Sequence, residues 1–158
     1  MRSAGIHPRT LGYLGRALSL EYSAVQQYMT QAGLADAWGL KDAGDRFRRE
    51  VVEELQHAER IVKRMLGLGV APNASQLRPA GVARNLVDLL LQDQVLEAEI
   101  VALYREATDF CRRIGDVENA AFFGGLLNEE QHHAGEIDEW LRSLGAAPAG
   151  GRDDRAYF

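Results

Sequence analysis

Residues 53–60 read EELQHAER, and residues 128–133 read NEEQHH. In each, a glutamate is followed three residues later by a histidine, inside a segment whose apolar residues recur at helical spacing. Around the first, Phe47, Val51, Glu54, Ala58, Ile61, Met65 and Leu68 follow one another in steps of 4, 3, 4, 3, 4 and 3. Around the second, Phe123, Leu127, Glu130, Ala134, Ile137, Leu141 and Leu144 repeat those steps. Such spacing traces one face of an α-helix that packs against a core. Glu54 and Glu130 therefore stand where leucines belong, and His57 and His133, one turn further on, point the same way.

The same periodicity predicts four long helices. The first runs from Leu11 to about Asp36, with Leu14, Leu18, Val25, Tyr28 and Ala32 on its stripe. WGLKD (38–42) is a short connection, so the second helix, Asp42–Leu66, folds back beside the first. Gly67 and Gly69 are expected to stop it. The stretch GLGVAPNASQLRPAG (67–81) is too long for a tight turn and suits a crossover along a bundle, which makes helices two and three parallel. Helix three is predicted over Val82–Ile114, and helix four from an N-cap at Asp116 to Leu144, ended by Gly145. The expectation is an all-α four-helix bundle with one long crossover, one domain over 1–158, the bundle spanning about 11–144. The tail AAPAGGRDDRAYF (146–158) lacks a helical stripe and is expected to be irregular.

Helices one and three carry buried acids of their own: Glu21 lies between Leu18 and Val25, and Glu97 between Leu90 and Val101. The offsets agree, since 97 − 21, 130 − 54 and 133 − 57 all equal 76, and Tyr28 and Tyr104 obey the same shift. Two helix pairs related by an approximate two-fold would bring six groups to one level of the core. A carboxylate without a partner there costs several kcal/mol or takes up a proton, and four together repel one another. No Lys or Arg on these stripes lies near the glutamates to pair with them. Two divalent cations neutralise four carboxylates, two imidazoles complete the donor set, and the arrangement is the one described for ferritin-like dimetal bundles. Oxygen and nitrogen donors suit iron, with manganese as the alternative. Glu129 and His132 are also three apart, but the shift and the shared His-Ala ending select Glu130 and His133.

A net charge of −5 argues against a nucleic-acid surface, which needs a clustered basic face. No apolar run approaches a membrane span, no leader pattern opens the chain, and the single Cys111 excludes an internal disulfide. A cytoplasmic protein is expected.

The stretches LEYSAVQQYM (20–29), AWGLKD (37–42), EELQHAERIVKRML (53–66), LYREA (103–107) and LLNEEQHH (126–133) resemble the bacterioferritins over roughly residues 11–144. The resemblance implies a diiron ferroxidase that oxidises ferrous iron with oxygen or hydrogen peroxide. It also implies a homo-oligomer storing ferric mineral in a shell of 24 subunits. It places one iron on Glu21 and His57 and the other on Glu97 and His133, with Glu54 and Glu130 bridging, and makes Tyr28 a candidate electron donor. Asp93, one turn before Glu97, is a candidate for orienting a histidine; Tyr104, Trp38 and Trp140 read as packing residues, and Met29 and Met65 as core fillers.

Three departures qualify the resemblance. The haem-binding methionine of the family is Leu55 here, which predicts no haem in that mode. The family's fifth helix is replaced by the tail, so a smaller assembly such as a dimer is the alternative to the shell. The aromatic end Tyr157-Phe158 is a candidate for docking to a partner. Arg49 and Glu53 stand where the family often carries His and Asp on an inner surface. Rival readings are a rubrerythrin-like diiron peroxidase or oxidase without a shell, though the chain has no C-x-x-C pair for its electron-transfer iron, and a metal-free interaction bundle.

Overall fold

A computed structural model describes residues 5–73 and 76–146. The tail beyond Ala146, with its expected irregularity and docking role, lies outside the described residues. Four helices follow in order: α1 (Pro8–Ala37), α2 (Lys41–Gly67), α3 (Leu86–Arg113) and α4 (Val117–Ser143). Among the described residues no helix is long and apolar enough to cross a membrane.

The ends of the helices are written locally. His7, Asn85 and Asp116 accept hydrogen bonds from the backbone N–H groups of Arg9, Asp88 and Asn119, a type of cap worth about 1 kcal/mol each. The expected start of α3 at Val82 is corrected by one of these: Asn85 is extended and closes its side chain on the Asp88 amide, so residues 82–85 belong to the crossover. All four helices end the same way. A glycine of positive φ follows the C-cap, at Gly39, Gly69, Gly115 and Gly145 (φ 74 to 77°). The next N–H then bonds back five residues, as Leu40 does to Ala35 and Asp116 to Cys111, the Schellman arrangement. Gly67, read as a stop, is the last helical residue of α2 instead. The glycines obey the 76-residue shift too, since 115 − 39 and 145 − 69 both equal 76.

Side-chain contacts fix the directions. Between α1 and α3, Thr10 meets Cys111, Tyr13 meets Glu106, and Gln31 reaches the Leu89 carbonyl, so these helices run antiparallel. Between α2 and α4, Arg46 reaches the Glu136 carbonyl and Arg64 bonds Asn119, again antiparallel. The short α1–α2 connection makes that pair antiparallel as well, so α2 and α3 point the same way, as the crossover requires. Arg78 pins the crossover, its backbone N–H donating to Ser23 Oγ and its guanidinium pairing with Glu99.

Large apolar side chains fill the bundle above and below one polar level: Tyr13, Leu14, Phe47, Ile61, Leu89, Ile100, Phe123 and Leu126 are fully buried. The α4 stripe differs from expectation at Leu127, Ala134 and Leu144. Leu126 is buried and Leu127 only half-buried, and Leu144 is exposed, because the true helical period of 3.6 drifts off a strict seven-residue repeat. Met65 is buried as expected, whereas Met29 is 58% exposed on the outer face of α1 and fills no part of the core.

Backbone conformation alone sets the glycine effect, because a Cβ at either Gly69 or Gly33 would meet no atom within 4 Å. Gly69→Ala is expected to lower stability by roughly 1–2 kcal/mol, the cost of a left-handed alanine. Gly33→Ala, inside α1, is expected to raise it by roughly 0.5–1 kcal/mol. Urea unfolding of the two variants checks both signs.

Candidate metal centre

Glu21 on α1, Glu54 and His57 on α2, Glu97 on α3, and Glu130 and His133 on α4 converge at one level of the core. The four glutamates are fully buried; His57 and His133 are 8% and 3% exposed. Both histidines turn Nδ1 inward. His57 Nδ1 lies 2.8 Å from Glu130 Oε1, 3.2 Å from Glu54 Oε2 and 3.7 Å from Glu21 Oε1. His133 Nδ1 lies 2.9 Å from Glu54 Oε1, 3.4 Å from Glu97 Oε1 and 3.6 Å from Glu130 Oε2. Glu54 and Glu130 thus present one oxygen to each imidazole, whereas Glu21 faces only His57 and Glu97 only His133. Two overlapping donor groups result, Glu21–Glu54–His57–Glu130 and Glu54–Glu97–Glu130–His133, each with ligand atoms close enough to hold one ion.

The two-fold relation extends to the tyrosines. Tyr28 donates to Glu97 Oε1 at 2.6 Å, and Tyr104 donates to Glu21 Oε1. Each phenol belongs to one helix pair and each acid to the other. Tyr104, read from sequence as a packing residue, makes the same bond as Tyr28. Tyr28 also lies against the His133 ring and Phe47.

Burial and the nearby Glu54 and Glu130 charges push Glu21 and Glu97 well above the ordinary carboxyl range. Burial works against ionisation of Glu54 and Glu130 as well. Hydrogen bonds, including those from the two imidazoles, outweigh it and hold both carboxyls below their ordinary value. Burial disfavours the imidazolium form of the histidines, yet the bonds to Glu130, Glu21 and Glu54 raise His57 far above normal. Those to Glu130 and Glu54 raise His133 to about 12. Without metal, these shifts favour protons on Glu21, Glu97 and both imidazoles over Glu54 and Glu130. Buried polar atoms still lack a well-formed hydrogen bond: Glu21 Oε2, Glu54 Oε1, Glu97 Oε2, Glu130 Oε2 and His133 Nδ1 at the centre, and Glu50 Oε2 and His133 Nε2 behind it. A buried polar atom in that condition costs about 1–3 kcal/mol, and five facing one space fit cations of hard-to-borderline character.

Asp93 is fully buried, but it meets the amides of Gln27 (2.6 Å) and Gln31 (2.7 Å) rather than a histidine. Burial raises it to about 7, despite those bonds. The histidines find other carboxylates: Glu50 Oε2 contacts His133 Nε2, and Glu129 Oε2 lies 3.2 Å from His57 Nε2. Neither role was foreseen, although Glu50 is seven residues before His57 and four before Glu54, on the same helical face. The competing Glu129–His132 pair lies outside the donor set. Both residues are exposed, and His132 pairs with Glu136 at 3.3 Å. Arg49 and Glu53 are exposed on α2, Glu53 beside Glu50 and His133. Leu55 is 44% exposed on the outer face of α2. Trp140 packs on Phe47 and under Arg46, as a structural residue would.

Comparison with known proteins agrees with this geometry. A ferritin-like domain profile matches residues 11–146. The bacterioferritin of Rhodobacter capsulatus is 33% identical over 125 residues, covering 79% of this chain and 78% of that one. The bacterioferritin of Brucella melitensis biotype 1 is 30% identical over 137 residues, covering 87% and 85%. The solved R. capsulatus bacterioferritin, with a metal-free dinuclear site and a haem iron in a special position, superposes with a TM-score of 0.82 at 29% identity. The superposition covers 92% of this chain and 98% of that one. On fold, donor set and likeness over most of its length, this chain belongs to the bacterioferritin family of ferritin-like proteins.

Proposed function

We propose that this protein is a ferroxidase for iron storage or detoxification, taking up two ferrous ions per chain between its four helices. The observation that carries the reading is the division of oxygens. Glu54 and Glu130 each turn one oxygen to His57 and the other to His133, the disposition two bridging carboxylates need. Glu21 with His57 and Glu97 with His133 then serve one ion each. Iron oxidation passes electrons to oxygen or hydrogen peroxide. The chain's part is to neutralise, space and shield the ions.

That part is largely proton management. The resting site holds protons on Glu21, Glu97, His57 and His133, and each must leave for its residue to act as a ligand. The two glutamates also stay hydrogen-bonded to Tyr104 and Tyr28, which keeps their ligand oxygens aimed as the protons go. Tyr28 is the candidate donor of a further electron, with Glu97 Oε1 in place to accept its phenolic proton. Because protons and metal compete for the same atoms, affinity rises with pH.

Product storage calls for an assembly of copies, and family membership supports a homo-oligomeric shell. A dimer of about twice 17.5 kDa in solution would favour the shell-less peroxidase or oxidase reading instead. Haem is a separate matter. Leu55 offers no thioether sulfur on the outer face of α2, and we read the chain as lacking haem held in the family's manner.

Anaerobic titration of wild type with ferrous iron is expected to saturate at two ions per chain and, on admitting oxygen, to yield ferric absorption. Glu54→Gln/Glu130→Gln, which keeps side-chain volume and removes both bridging charges, is expected to lose both equivalents. Retention of uptake in that variant would refute the site. Ferrous affinity should climb steadily from acidic to mildly alkaline pH, with protons released in an unbuffered calorimetric or pH-stat measurement. A pH-independent affinity would contradict the proton competition. The purified protein should show no Soret band, while Leu55→Met supplemented with haem should gain one.

A further inference from the structure

The two halves of the site match in their inner ligands, and Glu129 beside His57 repeats as Glu53 beside Glu50 and His133, but other residues behind the ligands differ. Under the 76-residue shift Glu50 falls on Leu126 (50 + 76 = 126) and Asp93 on Ala17 (93 − 76 = 17). The two glutamines that bond Asp93, Gln27 and Gln31, fall on Leu103 and Ala107. All four of these counterparts are buried apolar residues. The core is therefore polar on the His133 side and oily at the related positions on the His57 side.

The difference reaches the histidines directly. Nε2 of His133 is in contact with Glu50, a buried acid that pairs with no Lys or Arg among the described residues. Nε2 of His57 faces Glu129 at 3.2 Å, but that side chain is half exposed and is shared with Arg60. To ligate through Nδ1, a histidine must carry its remaining proton on Nε2. A carboxylate accepting that proton fixes the tautomer, stops the ring from turning and strengthens the other nitrogen as a donor. A dry, unshared carboxylate does this better than one competing with water and a guanidinium.

We propose that Glu50 is a positioning residue for His133, and that it makes the two metal positions unequal, the one built on Glu97 and His133 binding a divalent cation more tightly. The inference rests on the dimetal reading above.

The test is titration of the full-length protein with Co²⁺ under argon, followed by ligand-field absorption and calorimetry. Wild type should take two equivalents in two resolved phases. Glu50→Leu, which copies the related Leu126, should weaken the tighter phase by about 10- to 100-fold and leave the other unchanged. Glu50→Gln, whose amide oxygen still accepts the Nε2–H without charge, should weaken it less. Glu129→Leu should affect only the weaker phase. In the cobalt-loaded protein a slowly exchanging, hyperfine-shifted ring N–H should be present in wild type and Glu50→Gln and lost in Glu50→Leu, a readout that loss of packing does not imitate. Circular dichroism reports whether Glu50→Leu folds; if it does not, the Gln variant and the ring N–H decide.

Unaltered phases in the folded variants, equal weakening of both phases, or a single wild-type phase of two equivalents would each overturn the proposal while leaving the dimetal site standing. So would three equivalents in wild type falling to two in Glu50→Leu, because Glu50 would then be a ligand itself. No Co²⁺ uptake by wild type would overturn the dimetal reading and the proposal together.

Discussion

Four glutamates and two histidines share a space with almost no exposure to water, and whatever charges they carry must sum close to zero. In a medium of low dielectric an imbalance of even one charge costs several kcal/mol, a large part of what a typical domain has to spare. Protons satisfy the condition when metal is absent, and two divalent cations satisfy it when metal is present. Much of the surrounding structure serves this exchange. The tyrosines hold the terminal acids across the two-fold, and the aromatic and aliphatic layers on either side keep water from screening the site.

The pattern also explains which features were legible in the amino-acid sequence. Glu54 and Glu130 announced themselves because each recurs with its histidine on a matching core stripe, and the 76-residue shift tied Glu21, Glu97 and both histidines to them. Helix existence and order followed from periodicity. What escaped was contact between side chains on different helices. Glu50 lay on a readable face, but only the packing of α4 against α2 reveals that it meets His133. Asp93 was recognised as a buried acid, yet the amides of Gln27 and Gln31 claimed it, because helix rotation decides which neighbour is in reach. Met29 illustrates the same point from the apolar side: hydrophobic character alone did not tell the core face of α1 from its outer face.

Symmetry is kept where electrostatics demands it and relaxed elsewhere. The ligands, the two phenols and the glycines that end the helices repeat, as do Glu53 and Glu129, while Glu50 and Asp93 have apolar counterparts. A duplicated unit constrained only at its inner layer is free to diverge one step outward. Asp93, with its two glutamines, shows how far that divergence has gone without disturbing the first layer.

The crossover between α2 and α3 has a further implication. Each helical hairpin closes on itself through its own short turn, and among the described residues most bonds that join the two hairpins pass directly between helices. The connector, fastened at Arg78 to Ser23 and Glu99, therefore works as a leash: it sets the local concentration at which one hairpin finds the other. Neither hairpin alone contains a complete binding group, so the ability to hold a cation is a property of their union and arises only once the second hairpin has docked.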